Sequence, residues 1–162
     1  MKQTQFFRLV RLGTSACLIV CLSACGGGSN DAGADTATAQ TDAVAVTQFY
    51  QSQIDSYPAQ SQGLNRSLAS RGLIGSGNQL TQNADLCVSS VQQFISASRT
   101  FADGRPSNER SGIASTARSF QEPSKTFCSA QLTALGVLSG AQLASYLSGV
   151  SSRIDSLYAA TF

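Results

Sequence analysis

Histidine and tryptophan are absent from this sequence, methionine occurs once, and only 12% of the residues are charged. The absence of histidine excludes Ser-His and Cys-His nucleophilic pairs and every histidine metal ligand. The charged fraction is about half that of an ordinary soluble domain. The charges are also scattered, which argues against a nucleic-acid-binding arm. Apolar residues make up 42% of the 162 residues, enough for the core of one domain.

A short cationic segment and an apolar stretch open the chain. Residues 1–11 carry three cationic side chains, and the mostly apolar residues 12–22 are too few to span a bilayer, which takes about 20. The stretch ends in Leu22-Ser23-Ala24-Cys25, which resembles the lipobox of bacterial lipoproteins. The resemblance implies cleavage before Cys25, then a diacylglyceryl thioether and an N-acyl chain such as palmitate on that cysteine. The alternative is an ordinary signal peptide in which Cys25 is incidental.

The lipobox resemblance implies a place in the bacterial envelope. Three acyl chains are more than stable membrane anchoring requires. The residue after the cysteine is Gly26 rather than the aspartate that often retains such proteins in the inner membrane. The resemblance therefore implies an outer-membrane anchor with the domain facing the periplasm. Loss of residues 1–24 leaves eight cationic side chains against nine acidic ones, so we expect no nucleic-acid partner.

Composition divides the rest of the chain at residue 42. Residues 26–42 contain small and polar residues with no large apolar side chain, so we expect a disordered linker after Cys25. Residues 43–162 carry apolar residues at three- and four-residue spacing, which predicts helices. The predicted organisation is a lipoprotein signal peptide over 1–24, a lipidated cysteine and linker over 25–42, and a helical domain over 43–162.

Helical periodicity runs through the whole predicted domain, and no segment alternates apolar and polar residues over a useful length. The periodic runs are interrupted near Pro58, Pro106, Pro123 and Gly140, so we expect helices to end at these positions. The prediction is an all-α bundle of four to six helices. Because the helices are rich in serine, which has low helix propensity, tertiary packing must supply most of the stability.

The predicted domain contains two cysteines, Cys87 and Cys128, each on the apolar face of a predicted helix. An even number of cysteines in an oxidising compartment favours a disulfide. We therefore predict a Cys87–Cys128 bond that joins the third and fifth predicted helices. Two buried free thiols are the alternative. A redox-active role is disfavoured because the cysteines do not form a C-x-x-C motif.

Residue types that support catalysis or metal binding are sparse. A zinc site takes three or four His, Cys or carboxylate ligands. We expect no metal, no cofactor and no enzymatic activity, and leave open a carboxylate pair that meets across helices. Ser124 and Lys125 are interpreted as part of a polar turn, and Gly72–Gly77 as an interhelical loop. The carboxylates of the predicted domain never stand three or four residues apart; they are Asp55, Asp85, Asp103, Glu109, Glu122 and Asp155.

Arginine outnumbers lysine seven to one after residue 24. Four of the arginines gather around one predicted loop, near Asp103 and Glu109: Arg99, Arg105, Arg110 and Arg118. Because the planar guanidinium group is enriched at protein interfaces, this group is a candidate partner-binding face. A solvated face without a partner is the alternative.

These observations favour a lipid-anchored, non-catalytic helical module that binds a protein of the envelope. The alternative function is a periplasmic carrier of a small apolar ligand or lipid. Its candidate binding walls are the aromatic residues Phe94, Phe101, Phe120, Phe127 and Tyr146, although aromatic residues at such spacing more often form a simple core. An apolar cavity would favour the carrier, whereas a filled core with an exposed groove would favour the protein-binding module.

Overall fold

The structure, a computed structural model, describes residues 32–162, with side chains from Thr36 onward. This part of the chain forms five α-helices and contains no strand, which confirms the prediction of an all-α bundle. The signal peptide, the lipobox and Cys25 lie outside the described residues. The helices are α1 (Ala32–Ala69), α2 (Gly77–Asp103), α3 (Ser107–Ser119), α4 (Gln121–Ala134) and α5 (Gly140–Thr161).

Helix α1 departs from the predicted boundaries at its start and in its interior. It begins at Ala32, and the prediction of a disordered linker is wrong for residues 36–42. It also continues through Pro58, where we expected it to end. Proline removes one backbone hydrogen bond and costs about 3 kcal/mol in a helix interior. Burial of Tyr57 and Leu68 on the same helix offsets this cost, since each large apolar side chain contributes roughly 1.5–3 kcal/mol.

The other breaks lie close to the predicted positions. Pro106 immediately precedes α3, and Phe120 separates α3 from α4. Pro123 therefore lies in the first turn of α4, where a backbone N–H has no partner within the helix and proline is tolerated. Gly140 begins α5 with a φ of +55°, a conformation that glycine adopts without steric cost.

Helix α2 is the centre of the bundle and packs against each of the other four helices. Its buried face includes Cys87, Val91, Phe94 and Ile95, in the three- and four-residue spacing expected for one side of a helix. The shorter helices contribute fewer buried side chains, such as Ile113 from α3. The core is therefore organised around one long, amphipathic helix.

A network of polar side chains joins the second half of α1 to the start of α2. Asn83, almost fully buried, donates to the Oδ1 of Asn65 at 3.0 Å and accepts from the Oγ of Ser61 at 3.0 Å. Gln79 donates to the same Asn65 oxygen at 3.1 Å. The Oε1 of Gln79 accepts from the backbone N–H of Gly75 at 2.7 Å. Because its members satisfy one another, this network fixes the register of the two helices.

Candidate functional site

The structure brings Cys87 of α2 and Cys128 of α4 to disulfide distance, as predicted. Their Sγ atoms are 1.99 Å apart, their Cα atoms are 5.8 Å apart, and both residues are fully buried. The predicted third and fifth helices correspond to α2 and α4, because α1 replaces two predicted helices. A disulfide at this position cross-links the central helix α2 to the short helix α4, so its role is structural.

The aromatic residues proposed as walls of a ligand cavity pack against one another. The ring of Phe120 stacks on Tyr50 at 4.3 Å between centroids, and Phe94 meets both rings edge-on. Phe127 meets Tyr57 edge-on at 5.2 Å, and Phe101 meets Phe49 at 5.7 Å. Tyr146 is half-buried and packs against the core from outside. These rings fill the bundle instead of lining a chamber.

The apolar space beside Tyr50, Phe94 and Phe127 measures about 10 Å³. A single water molecule needs at least that much room. A drug-sized or lipid ligand occupies a cavity of several hundred Å³. This void is therefore a minor packing defect.

The four arginines of the candidate interface have different environments. Arg99 pairs with Asp103 one turn away, at 3.2 Å, and donates to the backbone carbonyl of Thr161 at 2.8 Å. Arg110 donates to the backbone carbonyls of Arg105 and Asp103 at 3.0 and 3.4 Å. These contacts hold the α2–α3 connection and the end of α5. Arg99 and Arg110 therefore contribute to the fold as well as to the surface.

Arg105 is directed into the molecule, and its partner is a residue that we assigned to the linker. Its Nη2 atom lies 2.7 Å from Oδ1 of Asp42, whose side chain is only 4% exposed. The guanidinium also lies over the ring of Phe101, 4.7 Å from the centroid. Arg118 is exposed and borders a separate surface depression with Asp155. The four arginines thus do not form one continuous binding face.

Beside the Asp42–Arg105 pair, a surface cleft of about 440 Å³ opens between α1 and α3. We call it the α1–α3 cleft. Asp42 and Ile113 are buried residues of its lining, Glu109 and Thr116 are half-buried, and the remaining residues are exposed and form its rim. The lining consists of Ala39, Asp42, Asn108, Glu109, Ser111, Gly112, Ile113 and Thr116.

The carboxylates in this cleft are incompletely paired. Both oxygens of Asp42 are buried without a hydrogen bond, because the short contact with Arg105 is not aligned as one. The Oε2 atom of Glu109 is likewise buried and without a hydrogen-bond partner. Buried polar atoms normally have partners, and those that lack one often mark a place for an additional group. These three oxygen atoms expose almost no surface to the α1–α3 cleft.

Helical spacing contained a signal for this cleft that we did not use. Ala39, Asp42 and Val46 follow one another at three- and four-residue steps, so the period of α1 extends upstream of residue 43. The polar composition of residues 26–42 led us to a linker instead. Glu109 was noted only as a possible neighbour of the arginines. Asp42 and Glu109 line the same cleft because α1 packs against α3.

The position of Asp42 does not suit glycosidase-type proton transfer in this cleft. A glycosidase needs two carboxyl groups that both reach the substrate, whereas the oxygens of Asp42 are enclosed and face a guanidinium. Within the described residues, no three His, Cys, Asp or Glu side chains group in a way that would hold a metal ion.

A second polar cluster lies around Ser124, which is fully buried. Its hydroxyl is 3.4 Å from the hydroxyl of Tyr158, and burial raises the pKa of Tyr158 to about 12. Burial also raises the pKa of Tyr50, which shares a hydrogen bond with Ser124. At neutral pH the two tyrosine hydroxyls are uncharged, so the cluster acts as a hydrogen-bonded part of the core and its edge. Lys125 next to them pairs with Asp155 at 3.0 Å.

None of the helices over residues 32–162 combines the length and the apolar character that a membrane-crossing segment requires. Comparisons of the chain with models of known protein families, with curated proteins and with solved structures gave no match. A functional conclusion therefore has to come from the residues and geometry of the molecule itself.

Proposed function

We propose that this protein is a lipid-anchored accessory module of the bacterial envelope, held in the outer membrane through Cys25 and binding a protein partner in the periplasm. The observation that carries the proposal is that the open space lies at the surface of the bundle and not among the aromatic rings of its core. The apolar space beside the core rings of Tyr50, Phe94 and Phe127 measures about 10 Å³, whereas a cleft of about 440 Å³ opens at the surface between α1 and α3.

This division of space supports surface recognition over transport of an apolar ligand. A carrier must hold its cargo away from water, which requires an interior cavity. The rings of Tyr50, Phe94 and Phe120 occupy the position where such a cavity would have to lie. A small-molecule carrier would need these rings to separate, which would expose apolar surface.

The lipobox resemblance also implies which end of α1 would carry the lipid anchor. Six residues lie between Cys25 and Ala32, the first residue of α1, and the seven Cα–Cα steps between them extend at most about 25 Å. Lipidation would attach the anchor at the end of α1 that carries the α1–α3 cleft. The opposite end of α1 lies about 57 Å away, since 38 residues rise about 1.5 Å each.

The first experiment tests anchoring. The protein is isolated from membranes of its own cells, and the intact mass of its N-terminal peptide is measured beside that of a Cys25→Ser variant. We expect a triacylated cysteine at the N-terminus of the normal protein and an unmodified, unanchored variant. An unmodified normal protein would contradict the lipoprotein proposal.

The second experiment tests partner binding. The tagged, acylated protein is cross-linked in native membranes, and each captured protein is purified and mixed with it again at defined concentrations. We expect one envelope protein that binds saturably and in a fixed stoichiometry. Absence of such a protein, together with a small apolar molecule retained in native mass spectrometry, would favour the carrier instead.

A further inference from the structure

The turn between α1 and α2, residues 70–76, lies at the end of the bundle opposite the start of α1. Helix α2 runs back along α1, because Gln79 near its start donates to Asn65 near the end of α1. Helix α4 runs in the same direction as α1, because Phe120 and then Phe127 meet successive parts of α1. The ends of α1 and α4 and the starts of α2 and α5 therefore lie together.

The distal half of the bundle, which we define as residues 56–84 and 126–152, has very few charged residues. Arg66 and Arg71 are the only charged residues in the first segment, and the second segment has none. The partial charges of the helix termini at this end oppose one another, since two helices end there and two begin. The distal half therefore carries a surplus of two positive charges.

The acidic residues at the border of the distal half do not offset this surplus. Asp85 pairs with Arg153 at 2.8 Å. Asp55 precedes Arg66 by 11 residues on α1, or about 16 Å along the helix axis. That distance exceeds the screening length of about 8 Å at physiological ionic strength.

Both distal arginines are available to an outside partner. Their side chains are exposed, and within residues 36–162 they form no ion pair or side-chain hydrogen bond. In contrast, Arg99 and Arg105 at the other end pair with acidic residues of the same chain. Arg66 also borders an open surface depression of about 440 Å³.

The turn that carries Arg71 also presents an apolar side chain from a fixed backbone. The N–H groups of residues 72 and 73 donate to carbonyls of the last turn of α1 at 3.0 Å, the pattern of a Schellman motif. The N–H of Gly75 donates to the side chain of the buried Gln79 at 2.7 Å. Ile74 lies between these two fixed points and is 52% exposed. A backbone held in this way loses little conformational entropy when it binds.

We infer that Arg66, Arg71 and Ile74, which we call the distal surface, bind an acidic segment of the protein partner. The planar donors of a guanidinium match both oxygens of a carboxylate. An apolar residue of the same segment would pack on Ile74. The inference rests on the proposed function and deepens it by naming the chemistry of the segment that is recognised.

The charge of the distal surface favours a protein segment over a lipid surface or a second copy. Polybasic segments that bind anionic lipids carry about four to eight cationic residues, whereas the distal surface has two. About 57 Å of helix also separates this surface from the end of α1 that would bear the lipid anchor. A second copy bound across a two-fold axis would bring the same two cations together.

Three variants test the distal surface: Arg66→Gln, Arg71→Gln and Ile74→Ser. All three residues are exposed, so the variants are expected to fold. The matched control is Arg118→Gln, because Arg118 is exposed and lies in the last turn of α3, as Arg66 lies in the last turn of α1.

The probe is the peptide acetyl-Glu-Glu-Leu-Glu-Glu-amide, titrated into the full mature protein in a neutral detergent and followed by ¹⁵N-resolved NMR. The reference peptide has glutamine in place of each glutamate. We expect saturable shifts of amides at residues 66–79 with a millimolar dissociation constant, and none with the reference peptide. Exposed ion pairs are weak, so each arginine variant should weaken binding about two- to fivefold and the double arginine variant about tenfold. Ile74→Ser should weaken binding about twofold or more, and Arg118→Gln should leave it unchanged.

Three results of these titrations would overturn the inference. The first is no saturable shift with the acidic peptide, and the second is equal binding by the normal protein and the double arginine variant. The third comes from detergent micelles that contain phosphatidylglycerol. If they shift residues 66–79 in the normal protein alone while the peptide does not, the surface binds lipid.

The purified partner supplies the second arm of the test. We expect the double arginine variant to weaken the partner complex about tenfold and the acidic peptide to compete with the partner. A complex that the double variant leaves intact would overturn the inference while the proposed function stands. Failure of the proposed function would differ, because no envelope protein would bind saturably.

Discussion

Removal of the cross-link between Cys87 and Cys128 is the perturbation whose magnitude follows most directly from the structure. The two residues are 41 positions apart, so the bond closes a loop of about that length in the unfolded chain. The chain-entropy relation gives about 13 cal/mol/K for such a loop, or about 4 kcal/mol at 25 °C. With an unfolding entropy of about 2.1 cal/mol/K per residue over residues 32–162, the melting temperature should fall by about 15 °C.

The assay compares thermal unfolding, followed by circular dichroism at 222 nm, in three samples: normal protein, normal protein with a reductant, and a Cys87→Ala, Cys128→Ala double variant. The reduced normal protein keeps both buried sulfur atoms and isolates the effect of the cross-link. We expect both uncross-linked samples to melt far below the oxidised protein, with no effect of reductant on the double variant. A fall of less than about 3 °C, about a fifth of the expected change, would refute the reasoning from loop entropy.

Asp42→Asn should lower the free energy of unfolding by about 1–3 kcal/mol in a denaturant titration, since it leaves the partly buried guanidinium of Arg105 without its charged partner. The exposed Asp55→Asn on the same helix should change it by less than about 0.5 kcal/mol. Gly75→Ala should lower the free energy of unfolding by about 1–2 kcal/mol, because Gly75 has a φ of +74°, which strains a residue that carries a Cβ atom. Gly63→Ala inside α1 should raise the free energy of unfolding by about 0.5–1 kcal/mol in the same titration, because alanine favours a helix interior and its Cβ would meet nothing within 4 Å. Burial raises the folded-state pKa of Tyr158 from 10.0 to about 12, so its contribution to stability is complete below pH 10 and is lost as the pH rises towards 12. Unfolding measured across that range should show a decline that Tyr158→Phe reduces; an equal decline in the variant would contradict this assignment.

Periodic apolar residues were sufficient to predict the fold class and the apolar face of α2. The apolar face of α2 follows from the spacing of Val88, Val91, Phe94 and Ile95, because a helix of 3.6 residues per turn aligns such positions on one side. The pairing of Cys87 with Cys128 followed from elimination, since the predicted domain offers no other cysteine.

The errors in the prediction lie where tertiary contacts outweigh local preference. Proline ordinarily ends a helix, yet α1 passes Pro58 because the neighbouring Tyr57 is buried against the rest of the bundle. The segment before residue 43 is polar and was predicted to be a linker. It is helical from Ala32, and Asp42 within it faces the cation of Arg105, which is 63 residues away in sequence.

By itself, the sequence of this protein determined the helical class, the central amphipathic helix and the cysteine pair, since these depend on spacing along the chain. It also carries the lipobox resemblance on which the proposed anchoring depends. Only the tertiary structure decided that the aromatic rings fill the core and that Asp42 and Glu109 line one cleft. The physical reason is that the packing of α1 against α3 brings residues about 67 positions apart into one cleft. The spacing of residues along the chain does not reveal which helices pack against each other.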